Sequence, residues 1–394
     1  QERLCRHLHL HAEHVYNHLS YYFSPNTHLT AEALSLVCIG KAFPWMEHAR
    51  RWVARGLDIL ERELDRQVLS DGCYFEMATY YHKYTIDFYL HYILLRDGQG
   101  RLPESIGARI RKLVRYLALL AESDGTIPLI GDSDGGELLA IGGDKRNMLG
   151  ACCAASVLLE DRELASLFDG DFKEEALWLL GSRAREKFEG LRRGSARGVG
   201  HSLNPESGLY CFRTGMSRGD SFLLIDCGPH GWSSCGHAHS DMLSYEWCCG
   251  GTKVVVDPGT HSYGGSRELR DELRSSSRHN TITIGGQSQS KPGDAFGWKT
   301  IAHPIGAFAG TLESFGFFEG EHDGYDAIGC RHKRLLLFFG EELVVVVDVV
   351  RASRPVASLL SVVQCAAGAL EEIGDRHYRF TRASDSSDAS IRFL

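Results

Sequence analysis

Along the first 182 residues apolar positions recur at intervals of three and four, as in LCRHLHLHAEHVYNHL, AEALSLVCIGKAF, RWVARGLDILERELDRQVL and TIDFYLHYILLRDG. That period lines one face of a helix with apolar side chains. The pattern breaks at SPNTH, SDGCYF, DGQGRLPES and PLIGDSDGGE, where Gly, Pro and Asp end helices or form turns. It predicts successive helical hairpins over residues 1–182. A charged, Gly-containing stretch, residues 183–204, reads as a linker. From residue 205 to 394 the pattern changes to short β-branched and aromatic runs, among them LYCFRT, SFLLIDCG, LSYEWCC, TKVVVDPG, NTITIGG, RLLLFFGEELVVVVDVV and ASLLSVVQ. Many short strands separated by turns predict a β-sandwich. No fixed-period repeat is visible, and low complexity is confined to RASDSSDAS near the end.

Composition narrows the function. The 394 residues allow two domains. With 43 basic and 51 acidic side chains, the net charge of −8 gives no support to nucleic-acid binding, so an anionic ligand must meet local basic groups. No apolar run reaches the ~20 residues that span a bilayer. Twelve cysteines include two vicinal pairs, Cys152 with Cys153 and Cys248 with Cys249, but no C-x-x-C. They read as small buried apolar residues, which leans towards a reducing, cytoplasmic setting.

The densest chemistry lies in GHAHSDMLSYEWCCGGTKVVVDPGTHSY and in SSSRHNTITI downstream. On a strand, His237 and His239 point to the same face. Asp257 in an Asp-Pro-Gly turn and His279 beside Asn280 complete a mixed nitrogen and oxygen set of the type that holds zinc. A lone histidine is ordinarily a hydrogen-bonded core or surface residue, but four such groups together read as a metal or catalytic cluster. The helical half adds Asn26 and His28 in SPNTHLTAEA, and Tyr80, Tyr81 and His82 in FEMATYYHKY. Taken singly, Asn26 is a helix cap and Tyr81 a core aromatic. GDSDGG, Gly131 to Gly136, lacks the glutamate of a calcium loop and reads as a tight turn. Arg267, Arg270, Arg274 and Arg278 form either a carboxylate- or sulfate-binding face or a solvated helix surface.

SPNTHLTAEAL, LERELDRQVLSDGCYFE with YYHKY, GDSDGGELL, GHAHSDMLSYEW, VVVDPGTHSY and SSSRHNTITIGGQSQ together resemble the landmarks of the heparinase II/III-like polysaccharide lyases, in that family's order. The group also contains alginate and oligoalginate lyases. The resemblance implies an α+β multidomain protein, an incomplete α/α toroid followed by an antiparallel β-sandwich, with the site in the cleft between them. It implies β-elimination on a uronic-acid glycan that is heparan sulfate- or heparin-like, alginate-like or a bacterial exopolysaccharide. Asn26 and His28 then neutralise the uronate carboxylate, Tyr81 is the acid or acid/base, with Tyr80 its competitor, and His237 is the base. His239, Asp257 and His279 hold a divalent metal, zinc, in a structural role, while His82, Arg270 and Arg274 contact substrate. Location in the periplasm or cell envelope follows from the same resemblance.

Two departures qualify it. The helical half starts late and Ile391 to Leu394 show no closing strand, as in a fragment of a longer protein. The tyrosine that some alginate-acting members carry ahead of the last histidine has no counterpart in ELRDELRSSSRH, which weakens an alginate assignment. Two other functions use the same residues: a metal-dependent glycan hydrolase with Glu246 or Asp241 as base, or a non-catalytic glycan-binding or capsule-assembly protein.

Overall fold

A computed structural model of the chain describes residues 2–96, 102–138, 144–167, 169–193, 201–313, 315–341, 343–382 and 388–392. The N-terminal half is helical: α1 Glu2–Asn17, α2 Thr27–Ala42, α3 Ala49–Gln67, α4 Thr79–Leu95, α5 Glu104–Leu120, α6 Leu149–Leu159, α7 Arg162–Ser166, α8 Glu174–Leu180 and α9 Arg183–Arg192. In α3, Trp52, Ile59, Leu60 and Leu64 are buried, and of its charged residues only Glu63 is buried with them. Helix α4 is different, with residues buried on every side, as expected of a helix at the centre of a bundle. Among the described residues no helix is long and apolar enough to cross a membrane. All twelve cysteines are free thiols, and eight of them are buried.

The strand-rich half begins with an antiparallel sheet of β1 Ser202–Asn204, β2 Leu209–Arg213, β3 Phe222–Asp226, β4 Tyr245–Cys249 and β5 Thr252–Val255, in that order. After α10 Arg267–Leu273 come β6 Ile282–Ile284 and the hairpin β7 Lys291–Asp294 with β8 Gly297–Thr300. A second antiparallel sheet follows, β9 Pro304–Thr311, β10 Gly316–His322, β11 Cys330–Phe338 and β12 Val344–Ala352. Strand β13 Leu359–Ser361 pairs with β6, and β14 Gly368–Gly374, β15 His377–Arg382 and β16 Asp388–Arg392 form a last small sheet. Burial along β11 alternates residue by residue, the mark of a strand with one face on a core. That core is shared by the two larger sheets, with Tyr210, Phe212, Leu223 and Ile225 of the first against Phe318, Leu336 and Phe338 of the second.

The two halves are joined by a third apolar cluster. Cys73, Tyr116, Leu120 and Ile130 from the helical side pack with Leu209, Cys211, Phe222, Leu224 and Cys248 from the first sheet. Buried Arg213 donates to the carbonyls of Leu119 and Ala121, satisfying acceptors at the end of α5.

Two sequence expectations change. Part of the linker expected over 183–204 is helix α9, because Ala184 and Phe188, four apart among charged neighbours, are buried in the helical core. The rest contributes β1, and residues 194–200 lie outside the described residues. At the other end, Asp388–Arg392 does form a strand, paired with β15.

Candidate active site

His237 and His239 are not on a strand. They sit in the long connection between β3 and β4, where Ser233, Cys235 and Leu243 have left-handed φ of 58°, 52° and 65°, a backbone that cannot keep a ladder. They nevertheless converge, because both rings meet one carboxylate. His237 Nδ1 lies 3.3 Å from Asp132 Oδ2, and His239 Nε2 lies 3.0 Å from Asp132 Oδ1. Arg270 donates to both oxygens at 3.1 and 2.8 Å, and the Thr260 hydroxyl donates to Oδ1 at 2.9 Å. Asp132 is fully buried; burial alone raises its pKa, but the bonds from His237, His239 and Arg270 hold the carboxyl well below its ordinary range. Its backbone N–H donates to the His237 carbonyl at 2.8 Å. Gly131 before it has φ +70°, and a Cβ there would stand 2.7 Å from the same carbonyl, so only glycine lets the two loops touch.

On the His237 side lies a cluster of proton-transfer groups. The Tyr81 ring stacks on His237 with centroids 3.8 Å apart and planes 18° apart. Its hydroxyl shares a 3.0 Å hydrogen bond with the Tyr263 hydroxyl, which is 3.2 Å from His237 Nδ1. Burial raises the Tyr81 phenol above its ordinary pKa against the Tyr263 bond, and burial, then Asp132 and Tyr81, raises Tyr263. Both hydroxyls are therefore held protonated. On the other flank, His237 Nε2 is 3.7 Å from Glu76 Oε1. The same oxygen accepts from Asn26 Nδ2 at 2.6 Å. Burial raises the Glu76 pKa, opposed by His237 and Asn26. Asn26 also caps α2, its Oδ1 accepting from the His28 N–H at 3.1 Å, so the cap and the site residue are one side chain. His28 is exposed in the first turn of α2.

On the His239 side is a closed triad. His239, Asp257 and His279 offer ligand atoms that all lie within 4.8 Å of one another. His279 Nδ1 is 2.7 Å from Asp257 Oδ2. Among the described residues, the buried nitrogens His239 Nδ1 and His279 Nε2 have no hydrogen-bond partner. The donor set and the orphaned nitrogens fit a divalent ion. Asp241 and Glu246, the groups considered as a hydrolytic base, lie near the triad residue Asp257. Both are buried, and burial, then Asp257, pushes Glu246 up to about 8.

Three expected substrate contacts are corrected. His82 is buried, its Nε2 2.8 Å from the Leu113 carbonyl and its Nδ1 accepting from the Tyr74 N–H, and burial lowers it to about 4. It faces away from Tyr81 because adjacent helix residues diverge by about 100°. Arg270 spends its fork on Asp132 and the Ala295 carbonyl. Arg274, 1% exposed, bonds Asp271 and the Asp294 carbonyl and stacks over Trp298 at 4.8 Å. Tyr80 donates to the Gly136 carbonyl. Glu76 and Tyr263 were not singled out from sequence, and Asp132 was weighed only as part of a cation loop. Asp132 sat in a motif that reads as a turn, whereas Tyr263 stood in plain view in VVVDPGTHSY.

The description "Heparinase II/III N-terminus" matches residues 1–141, and "Heparinase II/III-like, C-terminal" matches residues 197–380. The chain belongs to the heparinase II/III family. Its relatives in that family include a heparin-sulfate lyase of Bacteroides stercoris, 26% identical over 282 residues that make up 70% of this chain and 38% of that protein. A second, from Bacteroides thetaiotaomicron, is 24% identical over 345 residues, 83% of this chain and 44% of that protein. A solved heparinase III structure superposes with a TM-score of 0.73 at 23% identity, covering 96% of this chain and 53% of that one, a likeness of fold. The chain thus spans about half the length, or less, of the family members it matches.

Proposed function

We propose that the protein is a polysaccharide lyase that cleaves a uronic-acid glycan of the heparan sulfate kind by β-elimination. The observation that carries this is the stack of Tyr81 on His237 at 3.8 Å with the Tyr81–Tyr263 bond beside it, which sets an imidazole and a protonated phenol side by side. The names of the lyase relatives supply the substrate class.

In the reaction His237 takes the C5 proton of the uronate, the C5 electron pair forms the C4=C5 double bond, and the C4–O4 bond breaks. Tyr81 gives its proton to the departing O4 and regains one through Tyr263. For the opposite C5 epimer, Tyr81 would itself serve as base and then acid, which requires its phenol first to give up the proton that burial holds there. Asn26, through its second Nδ2 hydrogen, and His28 hydrogen-bond the uronate carboxyl, lowering the cost of negative charge that builds there as the proton leaves. Glu76 orients the Asn26 amide. General acid and base groups of this kind contribute about 10²–10⁴-fold each.

The helical half corresponds to an incomplete α/α toroid and the strand-rich half to a β-sandwich, with the cleft at their junction. His239, Asp257 and His279 would hold zinc. Bound there, the ion balances buried carboxylates and ties the β3–β4 connection to the segments after β5 and α10, a structural role. Cell envelope or periplasm is the matching place of action, on the strength of the family resemblance. The hydrolase alternative is disfavoured by the closure of the triad.

The test is ultraviolet absorbance of the conjugated product during incubation with heparan sulfate, heparin, hyaluronan, alginate and bacterial exopolysaccharides. A rise with heparan sulfate, lost in Tyr81→Phe, is the expected result. New reducing ends without absorbance would sink the lyase in favour of a hydrolase, and binding without either would leave a glycan-binding protein.

A further inference from the structure

Five residues before His237, in the same connection, Trp232 stands 41% exposed. It is not a loose surface ring. Its backbone N–H donates to the Phe75 carbonyl and its own carbonyl accepts from the Cys235 N–H, both at 3.1 Å. The indole stacks on buried Phe75 with centroids 5.1 Å apart and planes 20° apart. The Arg66 guanidinium lies 5.2 Å from the Trp232 ring and 5.7 Å from Phe75. Arg66 is itself anchored, Nε donating to Glu63 at 2.7 Å and Nη2 to the Pro25 carbonyl, which leaves Nη1 without a protein partner among the described residues. Through its two anchors this platform adjoins the proposed catalytic groups. Pro25 precedes Asn26, and Phe75 precedes Glu76, which binds Asn26.

A rigid indole kept in water beside a polar cleft loses little conformational freedom when a ligand covers it. A pyranose has the matching surface, a C–H face that lies flat on an aromatic ring while its sulfate or carboxylate edge meets a guanidinium. We propose that Trp232, backed by Phe75 and edged by Arg66, is a stacking subsite for an anionic sugar of the same glycan, next to the position that is cleaved. The proposal rests on the lyase reading for the identity of the glycan. The Phe75–Trp232 stack also spans the two halves of the molecule, so a sugar there touches both walls of the cleft.

The experiment compares the wild type with Trp232→Ala, Trp232→Leu, Trp232→Phe and Arg66→Gln on size-defined heparan-type oligosaccharides, by calorimetry and by turnover. Trp232→Ala should weaken binding of an octasaccharide about tenfold and raise KM alike, with kcat within about twofold. The shortest cleaved oligosaccharide should lose less. Trp232→Phe should keep most of the affinity, and Arg66→Gln should flatten its salt dependence. Trp232→Leu, which keeps apolar cover over Phe75 but no aromatic face, replaces the alanine variant if that one does not fold. Unchanged binding and KM at every length, or an equal loss at every length, overturns the subsite. If nothing is turned over, calorimetry still decides. Weaker binding by Trp232→Ala then keeps the subsite while the lyase reading falls, and no binding by the wild type rejects both.

Discussion

Asp132 divides two neighbouring regions that use the same residue types for different ends. On one side, His237 shares its surroundings with two hydroxyls, an amide and a carboxylate, and each contact is a hydrogen bond or a ring face that a sugar can replace or adjoin. On the other side, His239 and His279 are buried, each with one ring nitrogen that has no hydrogen-bond partner among the described residues. Two histidines two positions apart thus face different surroundings, Tyr81, Tyr263 and Glu76 on one side and the buried triad on the other. The difference shows that the partner of the second ring nitrogen, more than exposure alone, decides what an imidazole does.

The comparison breaks most sharply at the cleft side. Tyr81→Phe and His237→Ala should each lower turnover by about 10²–10⁴-fold; Tyr81→Phe, which keeps the ring on His237, should change Tm little, whereas His237→Ala, which loses that stack and the Asp132 bond, should lower it. Full activity in either variant, measured as ultraviolet product formation, rejects that assignment. Asp132→Ala should fail on both sides at once. It strands buried Arg270 and frees both imidazoles, at a cost of about 3–5 kcal/mol in stability by urea denaturation and a loss of turnover in whatever folds. If stability falls but turnover of the folded fraction stays at the wild-type level, Asp132 does not orient His237.

The triad side should respond in the opposite sense. His239→Ala is expected to lower Tm and metal content together, and a chelator should lower the Tm of the wild type but not of the variant. Native metal content in His239→Ala, measured by elemental analysis, removes it from the ligand set. Arg274→Met should cost stability alone and leave KM for heparan sulfate unchanged, because its donors are spent on Asp271 and two carbonyls.

The smallest effect lies at an ion pair on the second sheet, between Asp348 of β12 and Arg334 of β11. Burial alone raises Asp348, but bonds from His332 and Arg334 pull its carboxyl well below the ordinary range. A group depressed in this way adds stability that is complete above the unfolded-state pKa of about 4 and is lost as pH falls from there towards the folded value. Urea midpoints measured from neutral pH down to about 3 should therefore fall less steeply in Asp348→Asn than in the wild type. Parallel curves would show that the pair contributes nothing to acid sensitivity.

Much of this plan was legible before any coordinates, and the reasons differ by residue. Period in the apolar pattern separated helices from strands because α3 and β11 each bury one face. The chemistry-bearing residues stood out where they clustered in short motifs, as with His237, His239 and Asp257. What failed needed the third dimension. Arg270 and Arg274 look like a basic face in one dimension, but carboxylates and carbonyls brought from elsewhere consume them. His82 has the same neighbours in sequence as Tyr81 and the opposite surroundings in space. Asp132 lies 105 residues from His237 and 107 from His239, and no local pattern encodes such a meeting. Helix α9 was hidden because its three apolar residues, Ala184, Phe188 and Leu191, stand among six charged ones and a glycine, a composition that reads as a linker.

The contact at Gly131 also limits how the molecule can move. With no side chain between them and a backbone hydrogen bond from Asp132 to His237 closing the gap, the helical loop and the β3–β4 connection meet at zero clearance. Any rocking of one half against the other would have to break this contact together with the apolar cluster around Cys73 and Leu209 and the Phe75–Trp232 stack. Tyr81 and His237, which come from the two sides of that junction, are thereby held at one spacing.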